Sequence, residues 1–335
     1  MEYRNFGRTG VKVSPLTLGC MMFGGKTNAA DSYDIIDRGL DAGINFLDTA
    51  NVYSIGKSET VTGEALKRNG KRNSVFLATK VHGKMGEGPN DMNNTRRHII
   101  EQCEASLRRL GTDWIDLYQI HRPQSDMAQD ETLRAMDDLI RSGKVRYIGT
   151  STYAAWQLLE SIWVSKEYGL NRFVCEQPPY NLLDRRIERE LLPMCQSYGV
   201  ATIPWSPLAG GLLTGKYSRD QQPPEDSRYA LVNSNPMYRR RMNDAIWDVI
   251  EDLEEIANGN GVSLSQLSLA WCMHQPGVTS PIIGPRTMEQ LEDNLKALEV
   301  TITDEDRKAI DRVIRPGTHV SPYYEADWAV SQYRW

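Results

Sequence analysis

The sequence predicts an α/β fold, a (β/α)8 TIM barrel, from three observations. Short apolar runs alternate with amphipathic helical stretches from about residue 16 to residue 298, eight such runs can be counted, and no interdomain linker leads into a second core. This alternation is typical of βα units around a parallel sheet. We therefore predict a single barrel domain over 1–335, with an N-terminal β-hairpin at 1–15 and long loops on the C-terminal face.

The elements follow in a regular order along the chain. The segment YRNFGRTGVKV predicts a hairpin around Gly10 that plugs the floor of the barrel. The predicted strands are LTLG, INFLD, VFLATK, IDLYQIH, VRYIGTS, FVCEQ, ATIPWS and SPIIG. Among the helices, TRRHIIEQCEASLRRLG places Ile99, Cys103 and Leu107 on one face and stops at Gly111, a favourable helix end. The segment ETLRAMDDLIRSGK shows the same pattern.

Two segments interrupt the repeat, a polar loop at 206–240 after the seventh strand and an aromatic-rich tail at 315–335. Long loops on a compact domain are usually functional or disordered. The tail contains five tyrosines and tryptophans after residue 322, which would be costly to leave in water. We therefore expect the tail to dock on the barrel.

Composition and charge exclude several classes of protein. The net charge of -5 and the pI near 5.7 provide no basic excess for a nucleic acid. No apolar run resembles a signal peptide or a membrane span, so we expect a cytoplasmic protein. The five cysteines are scattered and form no C-x-x-C pair, so we expect neither disulfides nor a metal site.

Polar residues follow the apolar runs where the chemistry of such barrels is found. The C-terminal ends of the strands form one mouth, and its first polar or aromatic residues should lie close together. In strand order they are Asp48, Lys80, His121, Ser151, Gln177, Trp205 and Ser206.

Four residues at this mouth are of the types that a proton-transfer group needs. Taken singly, Asp48 could cap a loop, Lys80 could be solvated and His121 could bind a carbonyl. Taken with Tyr53, they provide an acid, a cation beside it and an orienting group. A free tyrosine has a pKa of ~10, and an ammonium beside it favours the phenolate. Asp48 would keep Lys80 charged, and His121 would donate a hydrogen bond to a substrate carbonyl. The group lacks an electron source, so a cofactor is expected.

At these residues the sequence resembles the aldo-keto reductase superfamily over nearly its whole length. The segments GINFLDTANVYSIGKSETVTGEAL, LATK and DLYQIHRP match the family motifs in the family order. The resemblance implies that Asp48, Tyr53, Lys80 and His121 are the catalytic tetrad. Trp205 stands where many members have tyrosine, as in the branch of the potassium-channel β subunits and many bacterial reductases.

The resemblance also implies how a nicotinamide cofactor would be held. The implied cofactor-binding residues are Gly19, Met21, Ser151, Gln177, Trp205, Ser206, Leu208, Gly210, Lys216, Gly284, Arg286, Gln290, Asp293 and Asn294. Gly210 and its neighbour would let backbone amides approach a pyrophosphate, although a plain glycine turn is the simpler alternative. Arg286 suits the adenosine 2′-phosphate. Arg286 therefore favours NADPH, and NADH stays a second option because Gly284 and Gln290 replace the Lys and Arg of better-known members.

The leading hypothesis is an NADP(H)-dependent oxidoreductase that acts on an aldehyde, ketone or sugar carbonyl, or on the matching alcohol. The loop at 206–240 would cover the cofactor and the tail at 315–335 would line the substrate pocket. The expected pocket residues are Met22, Ile55, Trp328 and Trp335, each of which could equally be ordinary packing.

Three further points stay open in the sequence. One alternative function is a nucleotide-binding regulatory partner similar to the channel β subunits, with slow turnover. A Schiff-base enzyme using Lys80 is a weaker alternative, because Asp48 would keep that lysine charged. The oligomeric state is undecided, and a homo-oligomer is allowed.

Overall fold

The computed structural model describes residues 1–324, and its centre is a sheet of eight parallel strands that match the eight predicted runs. In chain order they are β3 (Thr17–Gly19), β4 (Phe46–Asp48), β5 (Phe76–Val81), β6 (Ile115–Ile120), β7 (Val145–Ser151), β8 (Cys175–Gln177), β9 (Ala201–Thr202) and β10 (Ile282–Ile283). Their spatial order is β10-β3-β4-β5-β6-β7-β8-β9. The backbone N–H of Ile282 donates to Pro204 O at 2.8 Å, which links the two outer strands. The predicted (β/α)8 barrel is confirmed.

Helices connect the strands and cover the outside of the sheet. They are α1 (Ala29–Asp41), α2 (Lys57–Asn69), α3 (Arg96–Leu110), α4 (Gln129–Arg141), α5 (Ala155–Tyr168), α6 (Leu191–Tyr198), α7 (Pro236–Arg241), α8 (Ala245–Gly259), α9 (Leu264–Met273), α10 (Met288–Lys296) and α11 (Asp304–Val313). Helix α3 begins at the N-cap Thr95, whose side chain accepts from His98 N–H, and ends at left-handed Gly111, as its sequence predicts.

The predicted N-terminal hairpin is present and closes the floor of the barrel. It consists of β1 (Arg4–Asn5) and β2 (Lys12–Val13), which pair antiparallel. The Phe6 ring lies 5.7 Å from the Phe46 ring and 5.0 Å from the Phe76 ring, at the first residues of β4 and β5. The hairpin therefore extends the core below the sheet and leaves the opposite end for the loops that carry polar side chains.

Both long segments make defined contacts. The loop after β9 contains short 3-10 helices at Ala209–Thr214 and Arg228–Leu231, followed by α7. After α11, the Val320 N–H donates to Leu183 O at 3.0 Å, so the tail docks on the barrel as far as it is described. The predicted pocket residues Trp328 and Trp335 lie outside the described residues. Within residues 1–324, no helix has the length and apolar character needed to cross a membrane.

Candidate active site

The loop after β4 holds Tyr53 over the mouth by an unusual backbone path. Asp48 ends β4, and the chain then turns through Ser54, Ile55 and Gly56, whose φ angles are 48°, 53° and 84°. Left-handed backbone is unfavourable for a β-branched residue, so Ile55 is strained. This path leaves the Ile55 side chain 79% exposed beside the mouth and returns the chain to α2.

A fully buried lysine connects the aspartate to the tyrosine. Lys80 Nζ donates to Asp48 Oδ2, to Thr49 O at 2.8 Å and to Tyr53 Oη at 3.3 Å, so all three ammonium protons have acceptors. Burial by itself would lower the pKa of Lys80, but the charge of Asp48 and the Tyr53 oxygen outweigh it and raise that pKa above its ordinary value. Lys80 is therefore a cation held against the Tyr53 hydroxyl.

The other oxygen of Asp48 is fixed by two glutamines. Gln119 Nε2 and Gln177 Nε2 each donate to Asp48 Oδ1 at 3.0 Å, and Gln177 Nε2 also lies 3.1 Å from Gln119 Oε1. Gln119 is absent from the sequence-based prediction. It could have been found as a polar residue inside a buried strand, two positions before His121 and therefore on the same side of β6.

His121 lies beside the tyrosine and is held neutral. Its ring centroid is 5.6 Å from that of Tyr53, with the two planes at 82°. Burial lowers the pKa of His121 well below its ordinary value, and the charges of Arg122 and Lys80 lower it further. A neutral imidazole has one N–H to donate. Arg122, which was not expected at the site from the sequence, donates to His121 O at 2.6 Å and to Thr152 Oγ1 at 3.2 Å.

The neighbouring strand ends place three predicted cofactor residues around the same mouth. Ser151 and Gln177 are partners in register at the ends of β7 and β8, and Ser151 Oγ donates to Gln177 O at 2.9 Å. Trp205 is half-buried, and its ring lies 6.4 Å from that of Tyr323. Trp205 Nε1 is buried and has no hydrogen-bond partner among residues 1–324. Ser206 follows with a left-handed φ of 54°.

A cluster of cations lies at the outer edge of the mouth. Arg286 Nη1 donates to Asp226 O at 3.0 Å, its Nη2 lies 3.3 Å from Asp226 Oδ2, and Lys26 Nζ donates to the same carbonyl at 3.4 Å. Burial and the charge of Arg286 lower the pKa of Lys216, so these cations are close enough to repel one another. One carboxylate of the protein itself, that of Asp226, thus pairs with this cluster. Neither Asp226 nor Lys26 was expected at the site from the sequence.

Glycines give this cluster room for backbone contacts. Gly210 and Gly211 have φ of 62° and 104°, and a Cβ built on Gly211 would lie 2.7 Å from Lys216 Nζ. The left-handed φ angles are what require glycine here, since the Lys216 side chain could move away from an added Cβ. Leu208, two residues before Gly210, is half-buried.

The predicted adenosine-side residues surround the start of α10. Gln290 Oε1 accepts from Arg286 N–H at 2.8 Å. Asp293 faces α9, where its Oδ1 accepts from Gln266 Nε2 at 2.6 Å, and Asn294 is buried. Gly284 is exposed with open space at its Cβ position.

The remaining predicted contacts within residues 1–324 lie at the end of β3 and in the loop that follows it. A Cβ on Gly19 would come within 2.6 Å of Ile282 Cγ2, so this glycine permits close packing of β3 on β10. Met21 is exposed at the mouth and Met22 is half-buried behind it.

Comparison with known proteins identifies the family to which this chain belongs. The model of the aldo/keto reductase family matches residues 15–315, which is most of the chain. The chain belongs to the aldo/keto reductase family. It is therefore an oxidoreductase by family, and the resemblance found in the sequence is confirmed.

Relatives of this aldo/keto reductase match it over most of its length. A probable voltage-gated potassium channel subunit beta of Oryza sativa subsp. japonica is 39% identical over 94% of this chain and 97% of its own length. An uncharacterized oxidoreductase of Bacillus subtilis is 38% identical over 95% and 97%. A versiconal hemiacetal acetate reductase of Aspergillus parasiticus is 34% identical over 95% and 99%. The predicted branch is confirmed by these names.

Proposed function

We propose that the protein is an NADP(H)-dependent reductase that transfers a hydride between the nicotinamide and an aldehyde, ketone or sugar carbonyl. The observation that carries the proposal is the buried Lys80 ammonium, which donates at once to Asp48 and to the Tyr53 hydroxyl. Beside that hydroxyl lies the neutral His121 ring. A proton donor, a cation to stabilise its conjugate base and a neutral hydrogen-bond donor thus converge at one point.

The residues around the mouth fit a nicotinamide dinucleotide. The Trp205 face offers a stacking surface, and Ser151 and Gln177 offer polar atoms for a carboxamide. Lys216 beside the glycine turn suits a pyrophosphate, and Arg286 suits a 2′-phosphate. When bound, the nicotinamide supplies or accepts the hydride.

The protein's own residues would handle the proton. Tyr53 would give its hydroxyl proton to the carbonyl oxygen as the hydride arrives at the carbon. The Lys80 ammonium would stabilise the resulting phenolate, and Asp48 keeps that ammonium charged. The neutral His121 would donate a hydrogen bond to the same carbonyl oxygen and orient it. Oxidation of an alcohol would use these groups in reverse.

The same contacts argue against a Schiff-base mechanism. A nucleophilic lysine must be neutral, whereas Lys80 is paired with Asp48 and its pKa is raised. Three hydrogen bonds also occupy its nitrogen. We therefore assign Lys80 to Tyr53 and not to covalent chemistry.

A tryptophan-fluorescence titration with NADPH and NADH tests the cofactor assignment. Arg286→Ala removes charge-assisted hydrogen bonds worth about 1.5–3 kcal/mol, so NADPH affinity should fall roughly 10- to 100-fold while NADH affinity changes little. Arg312→Ala, an exposed arginine on α11, is the matched control. Equal weakening of both nucleotides would contradict the 2′-phosphate assignment.

Absorbance at the nicotinamide band with a panel of carbonyls tests the reaction. We expect turnover in the parent protein and loss of turnover by at least ~100-fold in Tyr53→Phe, with nucleotide affinity retained. Full activity in Tyr53→Phe would contradict the role of the hydroxyl.

A second candidate function rests on the relatives named as potassium channel β subunits. In that case the protein would bind the nucleotide as a regulatory partner of another protein and turn over slowly. Tight NADPH binding with no turnover on any carbonyl of the panel would favour it over the reductase.

A further inference from the structure

The loop that follows β9 is hydrogen-bonded to the start of the C-terminal tail. We call residues 217–243 the cap loop and residues 320–324 the C-terminal segment. The Tyr229 and Tyr323 hydroxyls form a hydrogen bond across a separation of 94 residues. Further hydrogen bonds join Asn243 Nδ2 to Val320 O (2.8 Å), Ser321 Oγ to Arg241 O (2.7 Å) and Arg241 Nε to Pro322 O (3.3 Å), and the Arg241 guanidinium lies 4.2 Å from the centre of the Tyr323 ring.

The tyrosine pair is buried and uncharged. Tyr229 is 0% exposed and Tyr323 is 1% exposed. Burial raises the pKa of Tyr323 to about 12 and the pKa of Tyr229 well above its ordinary value, so both stay protonated. Tyr229 Oη also lies 3.4 Å from Ala209 O. Tyr323 can therefore donate to Tyr229 while Tyr229 donates to the backbone, and loss of either hydroxyl breaks this chain.

This pair contacts both halves of the mouth. A Cβ on Gly210 would lie 3.3 Å from Tyr323 Oη and 3.4 Å from Tyr229 Cε2, so the pair packs directly on the glycine turn. On its other side the Tyr323 ring meets Trp205 at 6.4 Å with an interplanar angle of 62°. The pair thus joins the proposed pyrophosphate turn to the proposed nicotinamide wall.

Asp184 anchors the C-terminal segment to the barrel independently of the cap loop. Its Oδ2 accepts from Tyr323 N–H and Tyr324 N–H, each at 2.6 Å. Arg186 pairs with the same carboxylate, which is fully buried. These two amides therefore report on whether the segment is docked.

We propose that Tyr229 and Tyr323 are positioning residues that couple nucleotide binding beneath the cap loop to docking of the C-terminal segment beside Trp205. The proposal rests on the nucleotide site of the proposed function. A nucleotide on Gly210 and Lys216 would lie against the glycine turn on which Tyr229 packs, and it stabilises the cap loop through that contact. Because the hydroxyl pair links that loop to the segment, part of the stabilisation is passed on, and the segment opens less often.

Hydrogen–deuterium exchange with NADP+ tests the coupling without any substrate. In the parent protein, peptides covering residues 318–324 should exchange at least ~10-fold more slowly when NADP+ is present at 100 times its Kd. The largest slowing that this concentration can produce is about 100-fold. In Tyr229→Phe and Tyr323→Phe the nucleotide-dependent slowing of the same peptides should be at least ~3-fold smaller than in the parent, because only the remaining links between the cap loop and the segment persist. Peptides from residues 209–216 should keep their protection.

Tyr217→Phe is the matched control. Tyr217 is buried in the same aromatic cluster, 5.5 Å from the Tyr229 ring, and its hydroxyl has no hydrogen-bond partner within residues 1–324. The change removes the same atom without breaking the chain. We expect this variant to keep the full nucleotide-dependent protection of the C-terminal segment.

The outcomes separate the coupling from the nucleotide site. If NADP+ fails to bind the parent protein by fluorescence, the cofactor assignment fails and the coupling with it. If NADP+ binds and protects residues 209–216 but leaves 318–324 unchanged in the parent, the coupling alone is overturned. Equal protection of 318–324 in the parent and in folded Tyr229→Phe and Tyr323→Phe would also overturn it, with thermal melting used to confirm folding.

Discussion

Glu176 is a carboxylic acid that the barrel buries completely, and this burial should make stability depend on pH. Its Oε2 accepts from Thr150 Oγ1, and its Oε1 accepts from Tyr153 N–H at 3.1 Å. Burial raises the pKa of Glu176 from 4.5 to about 8, although these hydrogen bonds and the charge of Arg122 oppose the rise. The folded protein therefore favours the protonated form more than the unfolded chain does.

The sign and size of the effect follow from this shift. The contribution of Glu176 to stability is fully present below pH 4.5 and is lost as the pH rises through 8. At ~1.4 kcal/mol per pKa unit, the full loss is on the order of 5 kcal/mol. With an entropy of unfolding near 2 cal/mol/K per residue, that is roughly 7 °C in Tm for this chain.

Glu176→Gln should remove this dependence. Glutamine can still accept from Tyr153 N–H and can donate to Thr150 Oγ1, so the packing is preserved. We expect the variant to match the parent within about 1 kcal/mol at pH 5 and to melt several degrees higher at pH 9. Thermal melting by circular dichroism at unit pH steps measures this.

Glu190→Gln, a change at an exposed glutamate, controls for the loss of one acid. A difference between Glu176→Gln and the parent that is the same at pH 5 and pH 9 would refute the reasoning. So would a variant that is less stable than the parent at pH 9.

Three further predictions concern the tetrad and the helix packing. Asp48→Asn leaves the buried Lys80 without its counter-charge, so urea unfolding should show a loss of about 3–5 kcal/mol; an unchanged midpoint would contradict the pairing. Gly63→Ala places a Cβ 2.3 Å from a carbonyl oxygen at the end of α3 and should lower the free energy of unfolding by roughly 1–3 kcal/mol in the same measurement. Gly259→Ala, which has nothing within 4 Å of the added Cβ, should raise it by up to ~1 kcal/mol. The reverse order of stability would refute the packing argument. Because the pKa of His121 is well below its ordinary value, the rate of carbonyl reduction should stay flat from pH 8 to pH 6, and a loss centred near pH 6.5 would show that His121 titrates there.

The barrel could be predicted from the sequence because its strands are buried on both faces. Such strands read as short apolar runs between turn residues, and all eight runs became strands. Their lengths were less predictable. The run ATIPWS yields only Ala201–Thr202, since Pro204 has no N–H to continue a ladder.

The proximity of Asp48, Tyr53, Lys80 and His121 could be predicted because neighbouring strand ends must meet at one mouth. Asp48 ends β4, and Lys80 lies near the end of the neighbouring strand β5. Their contact follows because these two strands are adjacent in the sheet. Gln119 was harder to find because a single polar residue inside an apolar strand resembles an ordinary core position.

Contacts between distant loops could not be predicted in this way. The bond between Tyr229 and Tyr323 and the pairing of Arg286 with Asp226 depend on how irregular segments fold back over the mouth. No periodic pattern encodes such a path, because turns and loops lack a repeat that fixes which side chains meet.

Transfer of deuterium from the nicotinamide to a carbonyl carbon tests the central claim most directly. NADPH carrying two deuterium atoms at C4 is mixed with excess protein and a carbonyl from the panel, and the alcohol is analysed by mass spectrometry. The proposed function predicts an alcohol one mass unit heavier, labelled at the former carbonyl carbon, and a rate that falls at least ~100-fold in Tyr53→Phe. An unlabelled alcohol, or no alcohol while the nucleotide stays bound, would contradict it.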